Sequence, residues 1–303
     1  MNHDIIEETR PVTTTTAEAA TKTLSARGAT LTYDVRPGNG TDATPLFLIG
    51  SPMGAAGFVS LAGHFGDRTV ITYDPRGAER SIKDDPSTQS TPDQHADDLH
   101  RIIQDVGLGP VDLFASSGGA VNALALVATH PEDVRTLVAH EPPLASVLPD
   151  SDNAKAVVRA MGETYQRSGF GAGMAHFMAA TGHRGEFPDD FADQPAPDPA
   201  MFGMPAEDDG GRTDVMLALN IFTCTHYEPD FDALRQASTR VVLAAGAESE
   251  GEMANRGAHA VAERLDTQPV IFPSHHGGFL GGEYGWPGEP DAFAAKLRDV
   301  LEN

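Results

Sequence analysis

The sequence predicts an α/β fold, in which a mostly parallel central sheet is flanked by helices. Short apolar runs alternate with stretches of helical periodicity along most of the chain. The runs lack the in-and-out alternation of a half-exposed strand, which is typical of strands that are covered on both faces. Repeated strand–helix–strand units imply crossover connections between parallel strands. With 303 residues, 40% of them hydrophobic, the chain is long enough to bury a sizeable core.

The elements follow in chain order. Residues 1–20 are polar and rich in threonine, and we expect them to form a flexible tail. Two alternating runs that meet at Arg27-Gly28 predict a β-hairpin. The next strands are predicted at residues 46–50, 70–74, 111–115 and 136–140, and the helices between them near 55–65, 92–106 and 119–130.

The strand–helix rhythm stops after Glu141-Pro142-Pro143. Residues 144–235 carry helical patterns at 154–167, 172–181 and 214–224, around a stretch rich in proline and aspartate, and no strand-like run stands out there. The rhythm then resumes with strands near 240–246 and 269–272 and helices near 252–265 and 290–301. The sequence therefore predicts a core of residues 21–143 and 236–303, interrupted after its sixth strand by a helical cap of residues 144–235.

Charge and composition argue against several classes of partner. Asp and Glu number 44 and Lys and Arg number 21, which gives a net charge of −23. Such a surface repels phosphate backbones and anionic lipid, so we expect neither a nucleic-acid nor a membrane partner. The composition leaves the oligomeric state open, a homo-oligomer included.

Cysteine usage and the chain start point to a cytoplasmic protein without a metal or cofactor. The single cysteine, Cys224, excludes an intramolecular disulfide and a cysteine-based zinc site. No cluster of histidines and carboxylates has zinc spacing, and no phosphate-binding P-loop pattern occurs. The acidic first residues are unlike a signal peptide, and no apolar run reaches the roughly 18–20 residues of a membrane span.

A candidate nucleophile follows the strand at 111–115. The pentapeptide A-S-S-G-G matches the pattern G-x-S-x-G, with Ala115 in the first position and Ser117 in the centre. This pattern needs a tight strand-to-helix turn, in which small neighbours avoid clashes and the serine hydroxyl projects above the sheet. There it lies at a helix N-terminus, which favours developing negative charge. An ordinary turn is the alternative, but the strand before and the helix after favour a nucleophile.

Four motifs together make the chain resemble the α/β-hydrolase fold superfamily with a cap domain. IGSP (49–52) stands where the family has H-G-x-P, and YDPRGAERS (73–81) resembles D-x-R-G-x-G-x-S, with Glu79 in place of the second glycine. The third motif is the strand-to-helix turn at 115–119, which matches the nucleophile elbow of the family. HHGGFLGG (275–282) follows the last predicted strand, where the family places its catalytic histidine. The resemblance covers residues 21–303 and keeps the family's motif order.

The resemblance implies a catalytic triad of serine, acid and histidine. Ser117 matches the nucleophile, and His276 matches the histidine of the family's H-x-G-F form. Its neighbour His275 is the rival, because adjacent side chains cannot both point at the nucleophile.

The position of the acid is open between two segments. Most family members carry it after the strand that follows the cap, at a position occupied here by Ser249. The flanking Glu248 and Glu250 are therefore candidates. A capping box of Ser249 and Glu252 that opens the next helix is the plain alternative for this loop.

Glu141 is the second candidate for the acid, and the one we prefer. It ends the strand that follows the helix after Ser117, and the carboxyl ends of parallel strands meet at one sheet edge. Pro142 restricts it to extended geometry, which suits the end of a strand. Haloalkane dehalogenases and zearalenone-type lactonases of this superfamily include members with the acid on this earlier strand. A simple hinge to the cap is the alternative.

The resemblance also implies an oxyanion hole made of two backbone amides. The residue after the nucleophile, Gly118, supplies one. When residues 49–52 are aligned with H-G-x-P, the second amide comes from Ser51, because Pro52 has no N–H group. Met53 is the alternative donor if the loop is kinked.

These expectations predict a serine esterase or lactonase, that is, a carboxylic ester hydrolase. Ser117 at the elbow argues against dehalogenase and epoxide hydrolase chemistry, which uses aspartate there. The cap and the similarity to bacterial zearalenone-type lactonases favour a medium or large apolar ester or lactone, including macrocyclic lactones. Cleavage of carbon–carbon bonds in β-diketones and a non-catalytic ligand receptor on the same fold are the alternatives.

Overall fold

A computed structural model describes residues 18–40, 43–87 and 89–303. Within these ranges nine strands form one sheet. They are β1 (Ala20–Ala26), β2 (Ala29–Arg36), β3 (Leu46–Ile49), β4 (Val70–Asp74), β5 (Ile82–Lys83), β6 (Val111–Ser116), β7 (Val134–His140), β8 (Arg240–Gly246) and β9 (Val270–Phe272).

The strands lie in the order β1-β2-β4-β3-β6-β7-β8-β9, and β5 pairs with β2. Pairs that involve β2 are antiparallel, and the other neighbours in the sheet are parallel. The α-helices are α1 (Val59–Gly63), α2 (Pro92–Val106), α3 (Gly118–Thr129), α4 (Ser151–Thr181), α5 (Ile221–Thr225), α6 (Phe231–Gln236), α7 (Met253–Arg264) and α8 (Pro290–Glu302). The predicted α/β fold, with its mostly parallel sheet and flanking helices, is confirmed.

Three details differ from the sequence prediction. The two-residue strand β5 is too short to carry a periodic pattern, and it makes β7, the strand before the long helical connection, the seventh rather than the sixth. The helix expected near 55–65 is a 3₁₀ turn, Ala55–Phe58, followed by the short α1. Of the predicted tail, residues 1–17 lie outside the described residues, and Ala20 already belongs to β1.

The helices cover both faces of the sheet with apolar side chains. On one face α2, α3 and α7 pack through residues such as Leu99, Leu124 and Val261. On the other face α1 and α8 pack through Leu61 and Phe293. Helix α3 is apolar all round because it is buried on nearly all sides, as expected for a central helix.

Local sequence signals explain where the helices begin and end. Helix α2 begins after Thr91, whose hydroxyl accepts from the Gln94 amide while the Gln94 side chain accepts from the Thr91 amide. Pro92 occupies its first turn, and Gly107 ends it in the left-handed conformation. These signals fix the two ends of α2.

The connection between β7 and β8 contains α4, α5, α6, several 3₁₀ turns and a π-helical turn at Val215–Asn220. The helical patterns predicted at 154–167 and 172–181 form the two halves of α4, which Gly169 interrupts with φ of 83°. A Cβ at Gly169 would lie 2.3 Å from the Asp208 carboxylate, so only glycine fits this break. No helix among the described residues is both long and apolar enough to span a membrane.

Candidate active site

The register of the sheet brings two of the candidate residues together. Ser116 at the end of β6 is aligned with His140 at the end of β7. The residues that follow, Ser117 and Glu141, therefore leave the sheet side by side. The carboxyl ends of parallel strands form the edge at which ligands bind in open α/β sheets.

Ser117 occupies a sharp turn between β6 and α3. Its backbone has φ of 58° and ψ of −129°, a conformation that non-glycine residues rarely adopt. Its amide donates a hydrogen bond of 2.9 Å to the carbonyl of His140. A Cβ at Gly119 would lie 2.8 Å from the Cα of Gly50, so the turn requires a glycine there. The tight strand-to-helix turn expected of the A-S-S-G-G motif is thus present, with the serine half-buried.

His276 lies in the loop after β9 and faces the carboxylate of Glu141. Its Nδ1 is 2.6 Å from Glu141 Oε2. His275 points elsewhere, because its Nε2 lies 3.2 Å from the carbonyl of Pro287 and its Nδ1 accepts from the Gly277 amide at 3.0 Å. Of the two adjacent histidines, His276 is therefore the one that an acid orients.

The contact fixes the protonation pattern of the His276 ring. A carboxylate only accepts hydrogen bonds, so the neutral ring carries its proton on Nδ1 and presents Nε2 as the acceptor. The hydrogen bonds of the described residues do not include one between the Ser117 hydroxyl and His276. Contacts of this kind are often long without substrate and tighten when it binds.

Both oxygens of the Glu141 carboxylate are occupied. Oε2 faces His276, while Oε1 accepts from the Gly246 amide at 2.8 Å, from Asn255 Nδ2 at 3.1 Å and from the Ser249 hydroxyl. The extended geometry expected for Glu141 is wrong: its backbone adopts φ of 50°, in the left-handed range, and its amide donates to the carbonyl of Ala244 at 3.0 Å. The side chain is fully buried. Strand β8 and helix α7 thus hold an acid that belongs to β7.

The two partners shift each other's pKa in opposite directions. Burial alone would raise the pKa of Glu141, but its hydrogen bond with His276, the charge of His276 and the hydrogen bond from Ser249 hold that pKa well below its usual range. Burial alone would lower the pKa of His276, but the hydrogen bond and charge of Glu141 raise it above 6.5. Glu141 is therefore ionised at neutral pH and stabilises a protonated His276.

The other carboxylates proposed for this role lie outside the site. Glu248 and Glu250 are exposed, and neither side chain forms a hydrogen bond among the described residues. The capping box considered for Ser249 is wrong. Helix α7 begins only at Met253, and the Ser249 hydroxyl bonds to Glu141 instead.

Sequence reasoning missed three residues around this acid. Ser249 and Asn255 hold the carboxylate, and only Ser249 had a signal, since it stands where the resemblance places the acid. His140 is fully buried, with its ring centroid 5.9 Å from that of His276 and its Nδ1 3.2 Å from Ser116 Oγ. Burial lowers the pKa of His140 to about 4, so its imidazole is neutral beside His276.

The two candidate oxyanion donors lie against each other. A Cβ at Gly118 would be 2.6 Å from the carbonyl oxygen of Ser51 and 3.4 Å from the Ser51 Cβ. Within the described part of the chain, no hydrogen bond is donated by the amides of Gly118, Ser51 or Met53. Gly118 therefore has a free amide beside Ser117, and both Ser51 and Met53 remain candidates for the second donor.

Two groups of side chains place metal-ligating atoms within 4.8 Å of one another, namely His140, Glu141 and His276, and His100, His130 and Asp133. In the first group a cation would have to displace the hydrogen bond between Glu141 and His276. In the second the rings of His100 and His130 stack 3.8 Å apart at 14°, so their lone pairs run parallel and do not converge on one point. Neither arrangement is a preformed cation site.

Comparisons with known proteins identify the family of the chain. A family model described as alpha/beta hydrolase fold matches residues 46–207, which is more than half of the chain. The uncharacterized hydrolase YraK of Bacillus subtilis (strain 168) is 28% identical over 287 residues, which cover 92% of this chain and 95% of YraK.

Solved structures resemble the chain over nearly its whole length. A thermophilic esterase from Thermogutta terrifontis matches with a TM-score of 0.64 and 20% identity, covering 94% of this chain and 98% of the esterase. The enol-lactonase from Burkholderia xenovorans LB400 matches with a TM-score of 0.64 and 15% identity, covering 93% of this chain and 100% of the enol-lactonase. At these identities the likeness is one of fold. With the family model, it follows that the chain is a hydrolase that belongs to the alpha/beta hydrolase fold family.

Proposed function

We propose that this hydrolase cleaves carboxylic esters or lactones through an acyl-enzyme formed on Ser117. One observation carries the proposal: His276 Nδ1 lies 2.6 Å from the buried Glu141 carboxylate, at the sheet edge where Ser117 occupies its tight turn. A base with a fixed tautomer, an ionised acid behind it and a strained serine are the parts that acyl transfer requires.

In the proposed reaction the Ser117 hydroxyl attacks the substrate carbonyl while His276 Nε2 takes its proton. The carbonyl electron pair moves to oxygen, where the amides of Gly118 and Ser51 stabilise it. Collapse of the tetrahedral intermediate expels the alcohol, which takes the proton from His276. Water then attacks the acyl-enzyme by the same route. Glu141 stays ionised throughout and stabilises the imidazolium.

The proposed substrate is a medium or large apolar ester or lactone, with macrocyclic lactones of the zearalenone type included. Support comes from the helical connection between β7 and β8, which reaches the elbow. Cys224 Sγ on α5 lies 3.4 Å from the position of a Cβ at Gly118. We therefore assign residues 144–235 the role of a cap that covers the substrate. The esterase and the enol-lactonase of similar fold are consistent with this chemistry.

The test is covalent labelling followed by a substrate panel. A fluorophosphonate probe should modify Ser117 alone, as located by mass spectrometry, and Ser117→Ala should remain unlabelled. In a panel of aryl esters of rising acyl length, simple and macrocyclic lactones and a β-diketone, we expect turnover of an ester or a lactone. Ser117→Ala should lower it by about 10⁴-fold or more. A folded protein that resists labelling, or turnover that survives Ser117→Ala, would overturn the proposal.

A further inference from the structure

Ser51 carries a hydroxyl group that has no partner in the interior of the molecule. The residue is 6% exposed, and its Oγ is shielded from solvent and forms no hydrogen bond with the described residues. Buried hydroxyls are nearly always paired, and one that is unpaired weakens the folded state. The unpaired Ser51 hydroxyl therefore destabilises the free protein, and its position indicates which group it can pair with.

The residue that carries the unpaired hydroxyl lies beside Gly118, whose amide is proposed to hold the oxyanion. Ser51 follows β3 and Gly118 follows β6, two strands that are neighbours in the parallel sheet. The Ser51 Cβ is 3.4 Å from the position of a Cβ at Gly118. In a serine residue the hydroxyl and the backbone amide are close enough to donate to one acceptor. Because its Oγ is shielded from solvent in the free protein, the Ser51 side chain must turn about its Cα–Cβ bond to reach an oxygen bound by the amides of Ser51 and Gly118.

Asn122, on the next turn of α3, is fully buried and only partly paired. Its Oδ1 faces Cys224 Sγ at 4.0 Å, the outer limit of a sulfur hydrogen bond, and its Nδ2 has no partner among the described residues. The hydroxyl of Ser51 does not pair with it. A donor without a partner at this position suits an acceptor that arrives only with the substrate.

We propose that the Ser51 hydroxyl is a third oxyanion donor, next to the amides of Gly118 and Ser51. The inference rests on the proposed function, because it requires Ser117 to form a tetrahedral adduct. When Ser117 Oγ bonds to the carbonyl carbon, its proton goes to His276 and the carbonyl electron pair goes to oxygen. That oxygen accepts the hydrogen bond, and Ser51 keeps its proton. A donor that is paired only in the transition state accelerates the reaction without tightening substrate binding.

The test compares two buried serines whose hydroxyls are both unpaired among the described residues. Ser90, fully buried near the start of α2, supplies the matched control because it lies outside the candidate site. Measurements are the second-order rate of fluorophosphonate labelling at Ser117, kcat and KM on the best ester, and the urea midpoint. Ser51→Ala should lower labelling and kcat by about 10- to 100-fold and change KM by less than about two-fold. Its urea midpoint should stay equal or rise.

Ser90→Ala should shift the urea midpoint in the same direction and leave labelling and kcat unchanged. Ser51→Thr, which keeps the hydroxyl, should restore most of the rate, and Ser51→Gly serves as a second truncation if Ser51→Ala folds poorly. Normal labelling of Ser51→Ala overturns this inference alone. A loss of stability without a loss of kcat also overturns it, since that result assigns the hydroxyl a structural role. A wild-type protein that resists labelling overturns the proposed function itself, and this inference with it.

Discussion

At the scale of single residues, Glu141 is the group whose surroundings are most completely determined. Three donors hold one carboxylate oxygen and His276 takes the other, in a site closed to solvent. An amide in place of this carboxylate keeps the shape but loses the charge. It also offers an NH₂ group where His276 or the other donors expect an acceptor. Replacing the Glu141 carboxylate by an amide should therefore change the basicity of His276 more than the position of its ring.

Glu141→Gln should reduce kcat by about 10³- to 10⁴-fold, as loss of a triad acid does, with a smaller change in KM. Glu248→Gln, an exposed carboxylate on the neighbouring loop, is the matched control and should retain activity. Equal folding of the two variants is checked by circular dichroism. A crippled Glu248→Gln beside an active Glu141→Gln would refute the assignment.

The same pair controls the pH dependence. His276 acts as a base only when it is neutral, so activity should rise with pH through its pKa. Because Glu141 raises that pKa, the ascending limb of kcat/KM should have its midpoint above 6.5. Glu141→Gln should move the midpoint of the residual activity to lower pH. A midpoint that stays in place would show that Glu141 does not act on His276.

The three proposed triad positions were predicted because the resemblance supplies the motifs around Ser117 and His276, and because parallel strands end at one edge of the sheet. The contact between His276 and Glu141 agrees with that expectation, and their catalytic roles stay predictions. The role of Ser249 could not be anticipated. Its hydroxyl binds a residue 108 positions earlier in the chain, while its local sequence reads as a helix cap. Contacts between side chains that are far apart in the sequence produce no periodic pattern in that sequence.

At the scale of elements, the helical connection is fastened to the loop that holds the acid. Arg184, just after α4, donates to the carbonyls of Glu248 at 2.8 Å and Glu250 at 2.9 Å. These carbonyls flank Ser249 on both sides. The Gly185 amide donates to the carbonyl of Gly251 at 2.9 Å. The position of the proposed cap is thus linked, through backbone hydrogen bonds, to the carboxylate behind His276.

Arg184→Ala should lower kcat by about 3- to 10-fold, because the loop that carries Ser249 loses two charged donors and the triad geometry loosens. The control is Arg212→Ala, which removes an arginine paired with Asp208 elsewhere in the same connection. Both variants should lose some stability in urea. Kinetics separate them: Arg184 would have no positioning role if the two variants had the same kcat.

The sequence predicted these elements where the pattern was long and missed them where it was short. Strands β6 and β7 are buried along nearly their full length, and each contains an apolar run, residues 113–115 in β6 and 137–139 in β7. By contrast, β5 has two residues and two residue pairs with β2, too little for any periodicity. The two helical patterns at 154–167 and 172–181 leave a gap in which Gly169 breaks α4, but they do not show that the Asp208 carboxylate lies against this break.

At the scale of the whole molecule, the core buries neutral histidines as well as apolar side chains. His95 and His140 are fully buried, and burial lowers the pKa of each to about 4. The unfolded chain binds protons at these positions below about pH 6.5, whereas the folded protein does not until about pH 4. The stability they contribute is therefore complete above about pH 6.5 and is lost as the pH falls toward 4.

We expect the free energy of unfolding in urea to fall between pH 7.5 and pH 5, by about 1–2 kcal/mol for each buried histidine. His95→Gln, outside the candidate site, should remove the part of this pH-dependent loss of unfolding free energy that His95 contributes. His259→Gln, which removes an exposed imidazole, is the matched control. Parallel pH profiles for the wild type and His95→Gln would contradict this account of acid sensitivity.

The bond between Ser249 and Glu141 has a consequence for how relatives are compared. The position where the resemblance expects the acid is here in contact with an acid supplied by another strand. One carboxylate can thus reach the same histidine from either of two backbone anchors. In evolutionary terms, an ancestor with acids at both anchors could lose either one and keep the histidine partnered throughout. Catalytic acids in this family are therefore better matched by their place in space than by alignment column.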